Sequence, residues 1–272
     1  MRIAVTVAAL MMVAAPAVAQ ERIVVAGSAL CETIAALNQT HRVVGRDTTC
    51  GYPAGMAALP DVGYLRALSA EGLLALNPDM ILAGNDAGPP ETMLLIEASA
   101  VPVVRIETDY SQEGVLAQIE AVARVLGVDG SALIAAKEDA FAGLAAARAD
   151  AAPVRAMFIL SGAGGRVMAS GHGTGADAML RLAGAENVLA GFGGYRQITD
   201  EALTAAAPEV IVMMNRDGDH ALSDEQIRAH PALGLTPAAQ EGRILRMDGA
   251  FMLGFGPRTP EAAMALLAAM RN

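Results

Sequence analysis

Residues 69–83 read Ser-Ala-Glu-Gly-Leu-Leu-Ala-Leu-Asn-Pro-Asp-Met-Ile-Leu-Ala, and the pattern returns at 199–213 as Thr-Asp-Glu-Ala-Leu-Thr-Ala-Ala-Ala-Pro-Glu-Val-Ile-Val-Met. Glu71 aligns with Glu201 without a gap, and the proline and the acid that end each helix-like stretch also coincide. The units of a solenoid are about 20–50 residues long, so a repeat spaced by 130 residues is not one. The repeat indicates two lobes of similar build, with a cleft between them.

Short apolar strands alternate with helical patterns on both sides of the chain's centre, which is typical of α/β lobes with mostly parallel central sheets. Residues 131–150 consist almost entirely of strong helix formers. We therefore expect an N-terminal lobe at 20–126, a linker helix within 127–152 and a C-terminal lobe at 153–272. Ligands of open α/β sheets bind beyond the carboxyl ends of the strands, so Gly27-Ser28 and Gly171-His172 are expected to face each other across the cleft.

The first nineteen residues have the three parts of an export signal. Arg2 supplies the positive charge, residues 3–13 form the apolar stretch, and Ala17-Val18-Ala19 is a cleavage site of the A-x-A type. The alternative is an N-terminal anchor helix, but the apolar stretch is short for a membrane span. We expect cleavage after residue 19 and an exported mature protein that does not itself span the membrane.

Composition excludes several classes of function. The formal net charge of −10 argues against nucleic acid as a partner, because phosphate binding needs a basic face. The chain contains no G-x-S-x-G elbow, no H-E-x-x-H and no P-loop. The sequence therefore predicts a binding protein rather than an enzyme, and we expect it to be a monomer.

Cys31 and Cys50 are the two cysteines of the chain. In an exported protein, such a pair is by default expected to form a disulfide. The alternative is a pair of thiol ligands for a metal, although no histidine or third cysteine accompanies them at ligand spacing.

Tyr64 lies in a glycine-rich loop, two residues before Arg66. A phenolate is a hard oxygen ligand, and tyrosine is one of the few residues that hold haem iron. A neighbouring cation favours the charged form of a phenol, so the Tyr-x-Arg pair has the chemistry of a ferric-haem ligand with a tuning partner. The alternative is a loop tyrosine that only packs on its lobe.

Residues 61–79, which contain this pair, resemble the signature of the periplasmic haem-binding proteins of bacterial haem ABC importers. Residues 87–90, 173–179 and 254–261 are similar to that family too, and the resemblance extends from about residue 22 to the C-terminus. It implies a two-lobed, helix-linked fold, ferric haem as the transported ligand and Tyr64 as its axial ligand beside Arg66. It also implies an inner-membrane ABC permease and its ATPase as partners.

Three further residues are candidates for supporting the haem site. His172 and Tyr195 belong to the second lobe and are candidate ligands from that side, although a lone histidine in a glycine-rich turn is also typical of a solvated surface. Arg258 suits a haem propionate, since a guanidinium fork matches a carboxylate. The alternative for Arg258 is a structural role as a cap on the sheet.

Glu71 and Glu201 occupy equivalent first-turn positions, where the helix dipole favours an acid. This stabilisation explains either residue alone. In related binding proteins one glutamate per lobe docks on arginines of a two-fold permease, and these two positions resemble them.

The same fold also carries cobalamin or ferric siderophores, and this is the alternative cargo. Neither ligand requires a Tyr-x-Arg pair, and siderophores favour more cationic sites. The sequence therefore favours haem.

Overall fold

The computed structural model describes residues 22–149, 152–215 and 222–271. The predicted export signal at 1–19 lies outside these residues. The first part of the chain forms β1 (Ile23–Ala26), α1 (Ser28–Ala36), β2 (Val43–Arg46), α2 (Ala54–Ala57), α3 (Ala70–Ala75), β3 (Met80–Gly84), α4 (Pro90–Glu97) and β4 (Val103–Ile106). Within the described residues, no helix has both the length and the apolar character needed to cross a membrane.

The first sheet has four parallel strands in the order β2-β1-β3-β4. Every residue of the central strand β1 is buried, as expected for a parallel strand covered on both faces. One apolar layer, which includes Ile34 and Leu82, packs on one face of the sheet. A second layer, which includes Leu73 and Ile81, packs on the other. This three-layer arrangement fixes the loops at the carboxyl ends of β1 and β3.

Two helices connect the sheets, α5 (Gln112–Leu126) and α6 (Ser131–Arg148). The Ser111 hydroxyl accepts a hydrogen bond from the backbone at the start of α5, and Gly127 ends that helix in the left-handed conformation. At 1.5 Å per residue, α6 is about 27 Å long. α6 packs on both α5 and the C-terminal helix, and Leu133 contacts the cores of both sheets. It is therefore integrated into the fold along its length.

The second part of the chain forms β5 (Val154–Ser161), β6 (Met168–Ser170), α7 (Gly175–Leu182), β7 (Ala185–Asn187), β8 (Tyr195–Gln197), α8 (Asp200–Ala206), β9 (Val210–Met214), α9 (Asp224–Ala229), α10 (Pro237–Gln240), β10 (Ile244–Met247), α11 (Gly249–Leu253) and α12 (Thr259–Arg271). Its sheet has the order β10-β9-β5-β6-β8, with β7 paired to the first half of β5. The strands β10, β9, β5 and β7 are parallel, whereas β6 is antiparallel to both of its neighbours, β5 and β8.

The antiparallel direction of β6 differs from the premise on which the placement of Gly171-His172 at the cleft was expected; that placement itself stays a prediction. Since β6 runs against β5, its carboxyl end lies away from the carboxyl ends of the parallel strands. Gly27 caps α1 and Ser28 begins it. Ser28 lies against the loop after α11, where a Cβ on Gly254 would be 3.1 Å from the Ser28 Oγ. The two glycine-containing turns are therefore not symmetric partners.

The repeat of 69–83 at 199–213 has the same local structure in both lobes. Ser69 and Thr199 each cap a helix through the side-chain oxygen, and those helices lead into β3 and β9. The two strands begin at Met80 and Val210, again 130 residues apart. The chain is thus an α/β protein of two similar lobes, in which the second sheet is mixed.

Candidate ligand-binding site

The site is built around Tyr64, which lies in the loop between α2 and α3. Gly63 precedes it with a φ of 100°, a conformation that glycine adopts without strain. The Tyr64 side chain remains 45% exposed although it is large and mostly apolar. The Arg66 Nη1 donates a hydrogen bond of 2.9 Å to the phenol oxygen. Sequence reasoning expected this pair, and the structure places the two groups in direct contact.

Arg66 has a second partner that the sequence analysis missed. Its Nη2 donates to the Asp86 Oδ2 at 2.7 Å. Partial burial opposes the charge of Arg66, but the Tyr64 phenol and the Asp86 carboxylate more than offset this and raise the pKa of the guanidinium. Asp86 follows β3 by two residues, so the rule that ligands gather at the carboxyl ends of strands is the signal that points to it.

Tyr110 is another site residue that sequence reasoning missed. It lies just before α5, and its ring makes an edge-on contact with Phe255 of the second lobe, with ring centroids 5.0 Å apart. Burial raises the pKa of the Tyr110 phenol, the Asp86 charge raises it further, and the Arg66 charge partly opposes them. Tyr110 therefore lies within electrostatic range of Arg66 while it touches the opposite lobe.

Tyr195 extends the site into the second lobe. It begins β8, and its ring makes an edge-on contact with Phe158, with centroids 6.4 Å apart. Burial raises the pKa of its phenol, whereas hydrogen bonds with the Thr174 side chain and the Ala176 backbone lower it, as does Arg66 more weakly. Tyr64 contacts Arg66, and the Arg66 charge also acts on Tyr110 and Tyr195. These three of the chain's four tyrosines form the tyrosine group of the site.

His172 lies against the turn before β8. Its backbone pairs with Gly193 beyond the end of β6. Its ring is also close to that residue, since a Cβ on Gly193 would be 3.2 Å from the His172 Cε1. The side chain is exposed. These contacts place His172 against the turn before β8 and do not connect it with Tyr64 or Arg66.

Arg258 does not join the tyrosine group. Its guanidinium forms a bidentate ion pair with Glu32 of α1, a residue that is only 6% exposed. The same group lies over the Tyr52 ring at 3.7 Å and over Phe251 at 4.9 Å. Its fork is thus occupied by a carboxylate of the protein. This ion pair joins the two lobes. The role of Arg258 toward a haem propionate stays a prediction.

Glu71 and Glu201 both lie in the first turn of their helices, α3 and α8, and both are exposed. Hydrogen bonds from the backbone N–H of Glu201 and from Thr199 lower the pKa of the Glu201 carboxyl. Both side chains are therefore available to a partner at equivalent positions of the two lobes.

Cys31 and Cys50 are joined by a disulfide, with Cα atoms 5.8 Å apart. Asp47 lies beside them, so that one possible ligand atom from each of the three residues falls within 4.8 Å. Both sulfurs belong to the disulfide, and Asp47 accepts hydrogen bonds from the backbone of Gly27 and Thr49. The arrangement is a buried cross-link with a capping carboxylate rather than a thiolate site.

The fold and the site define the class: the chain belongs to the periplasmic binding protein family, which matches residues 23–250. Among solved structures it is similar to the periplasmic heme-binding protein BhuT in complex with two hemes, at 40% identity and a TM-score of 0.87, over 92% of this chain and 97% of that one. It is similar to the periplasmic heme-binding protein RhuT from Roseiflexus sp. RS-1 at 33% identity, with the same TM-score and coverage. A periplasmic heme-binding protein from Pseudomonas aeruginosa matches at 34% identity and a TM-score of 0.82, over 92% of each chain.

More distant matches concern the fold alone. The periplasmic vitamin B12 binding protein BtuF of Vibrio cholerae shares 19% identity over 92% of this chain and 96% of that one, with a TM-score of 0.79. No curated protein sequence matches the chain at a significant level.

Proposed function

We propose that this chain is the substrate-binding protein of a haem ABC importer, which takes up ferric haem between its lobes in the periplasm with Tyr64 as the iron ligand. The observation that carries the proposal is the exposed Tyr64 phenol with Arg66 bonded to its oxygen at 2.9 Å. Tyrosine oxygen is a known axial ligand of haem iron, and the guanidinium that donates to this oxygen forms a charge-assisted hydrogen bond with it. The likeness to heme-binding proteins at 33–40% identity supports the same ligand.

The remaining groups of the site fit a flat, apolar ligand with anionic edges. For an apolar macrocycle, we expect most of the binding free energy to come from the burial of its faces. Burial raises the pKa of the Tyr110 and Tyr195 phenols, so both carry their protons at neutral pH. A neutral phenol is a hydrogen-bond donor. The two hydroxyls are therefore suited to donate to carboxylates such as haem propionates, a role for which Arg258 is also a candidate.

Cobalamin and ferric siderophores are the alternative cargoes. The likeness to a vitamin B12 binding protein is limited to the fold, at 19% identity. Neither cargo explains why a phenol and a guanidinium are paired at the entrance of the site. Haem uses both groups, one as the ligand and one as its partner.

The proposal is tested by an absorption titration of the mature protein with ferric haem. The wild type is expected to give a saturable Soret shift with the charge-transfer band of a tyrosinate complex, and the endpoint counts the haems. Tyr64→Phe keeps the ring but removes the ligand oxygen, so it is expected to lose this band and to raise the Kd at least about tenfold, which is roughly 1.4 kcal/mol.

Tyr52 offers a matched control, because its ring is 49% exposed and it contacts Arg258 rather than Arg66. Tyr52→Phe should leave the spectrum unchanged. A wild type that does not bind haem would contradict the proposed cargo. A Tyr64→Phe protein with an unchanged spectrum would contradict the ligand, and His172→Ala would be examined next.

We further propose that Glu71 and Glu201 dock the loaded protein on the permease. Exposed ion pairs are individually weak, so these acids chiefly set the register and the rate of encounter. The variant Glu71→Gln/Glu201→Gln is expected to bind haem as the wild type does. It should lower haem-dependent transport by the permease and its ATPase in proteoliposomes, most strongly at low salt. Transport equal to the wild type at low salt would overturn this docking role.

A further inference from the structure

Asp86 is a charged group in contact with Arg66 that the proposed function leaves without a role. The Arg66 fork joins two fixed acceptors: Nη1 donates to the Tyr64 phenol at 2.9 Å and Nη2 donates to the Asp86 Oδ2 at 2.7 Å. The Arg66 side chain is 58% exposed. An arginine this exposed has many accessible rotamers, and a single hydrogen bond to a phenol restricts it little. The second bond, to Asp86, fixes the plane of the fork.

The backbone holds Asp86 in place for this contact. The Asp86 loop closes through a hydrogen bond from the Ala87 N–H to the Gly84 carbonyl. The Gly88 N–H then donates to the Leu65 carbonyl at 2.9 Å, and the Leu68 N–H donates back to the Gly88 carbonyl at 2.8 Å. These bonds join the Asp86 loop to the segment that carries Tyr64 and Arg66. The carboxylate is therefore positioned relative to the phenol by main-chain contacts, independently of any ligand.

Gly84 completes the arrangement. A Cβ at this position would lie 3.1 Å from the Asp86 Oδ1, so a larger residue would press on the carboxylate. The absence of a side chain at the end of β3 leaves room for Oδ1 over the backbone, while Oδ2 faces Arg66. The end of β3, the Asp86 loop and the Asp86 carboxylate are therefore held together by direct contacts.

We propose that Asp86 is a positioning residue for the haem ligand: it holds the guanidinium of Arg66 so that one nitrogen stays on the Tyr64 oxygen. This inference rests on the proposed function of Tyr64. An exposed surface ion pair with no such role would contribute little, and its removal would not affect the iron. A positioning role predicts that the effect of Asp86 passes entirely through Arg66.

The experiment is a double-mutant cycle on the haem-loaded protein, measured as the rate of haem transfer to excess apomyoglobin and as the charge-transfer spectrum. Asp86→Ala is expected to accelerate haem loss about five- to tenfold, as for a lost charge-assisted hydrogen bond, and to shift the spectrum toward that of Arg66→Ala. Asp86→Asn keeps an acceptor and should stay within about threefold of the wild type. In the Arg66→Ala background, Asp86→Ala should add no more than about twofold.

Glu97 is the matched control, since its carboxylate is 41% exposed and lies 3.0 Å from Arg105, its ion-pair partner. This pair does not include a residue of the site. Glu97→Ala should leave both measurements unchanged. The proposal is overturned if Asp86→Ala behaves as the wild type, or if it accelerates haem loss equally with and without Arg66.

A second measurement separates this inference from the proposed function. In the haem-free protein, the Arg66 Nε–H resonance, assigned by Arg66→Lys, should show an ordered side chain that becomes mobile in Asp86→Ala. If the wild type bound no haem, the proposed cargo would fail, and the order of Arg66 would still decide whether Asp86 positions it. An Arg66 side chain equally ordered in both proteins would overturn the positioning role.

Discussion

The ion pair between Arg258 and Glu32 joins residues 226 positions apart and allows a quantitative test of how the lobes are held together. Arg258→Ala removes the guanidinium that bonds both oxygens of the Glu32 carboxylate. It also removes the stacking on Tyr52 and Phe251. The carboxylate, only 6% exposed, is left with its charge buried and unpaired.

Breaking a buried ion pair from one side costs about 3–5 kcal/mol. Since Arg258 is 26% exposed, water reaches part of the pair, and the lower end of that range applies. We therefore expect a loss of about 3 kcal/mol in the free energy of unfolding. In a chain of this size, 1 kcal/mol shifts Tm by about 2–4 °C. The expected decrease in Tm is then about 6–12 °C.

The stability lost in Arg258→Ala should increase as the pH rises. Burial raises the pKa of Glu32 above its ordinary value of 4.5, and the hydrogen bond and charge of Arg258 offset part of that increase. A raised pKa means that the folded state holds the proton more readily, so stability is lost as the pH rises through the folded-state pKa. Without Arg258 the pKa rises further. The variant's deficit should therefore grow between pH 5 and pH 8.

The assay is urea unfolding at both pH values, followed by circular dichroism, for Arg258→Ala, Glu32→Gln and the double variant. The coupling energy of this cycle should exceed about 1 kcal/mol. Arg105→Ala breaks a solvent-exposed ion pair with Glu97 and should cost no more than about 1 kcal/mol. A loss below about 1 kcal/mol for Arg258→Ala, or an equal loss at both pH values, would refute this reasoning.

Two further predictions concern stability. The Cys31–Cys50 disulfide spans 19 positions, and the chain-entropy estimate for a loop of that size is about 3 kcal/mol. The Cys31→Ser/Cys50→Ser variant should lose about that much in urea unfolding, and an unchanged midpoint would contradict it. Gly143 lies within α6 with open space around it, so Gly143→Ala should raise stability by about 0.5–1 kcal/mol. Gly171→Ala should lower it by more than about 2 kcal/mol, because the new Cβ would be 2.0 Å from the Phe192 carbonyl oxygen; thermal unfolding of the two variants measures the contrast.

Much of the fold could be predicted from local pattern. The repeat at 69–83 and 199–213 predicts two helix–strand units, and both are present with capped helices that lead into buried strands. Short, mostly apolar runs form the strands Ile23–Ala26, Val103–Ile106 and Ile244–Met247. Caps, apolar runs and helix formers act over a few residues, so the sequence contains this information directly.

The direction of a strand could not be predicted from local sequence pattern. The segment at 166–172 resembles the start of the first lobe, yet β6 is antiparallel to β5. Direction depends on how the chain returns to the sheet: β5 and β6 are joined by a short connection, which brings the chain straight back along its neighbour. His172 consequently lies against Gly193 and not at the carboxyl ends of the parallel strands.

The sequence by itself determined the class of fold, the acidic character of the chain and the Tyr64–Arg66 pair, because these depend on composition and on residues two positions apart. Only the tertiary structure decided which distant groups complete the site. Asp86 reaches Arg66 because two loops share backbone hydrogen bonds. Arg258 forms its ion pair with Glu32 because the loop after α11 packs on α1. Burial and the path of the chain determine such partners, and neither can be predicted from a local sequence pattern.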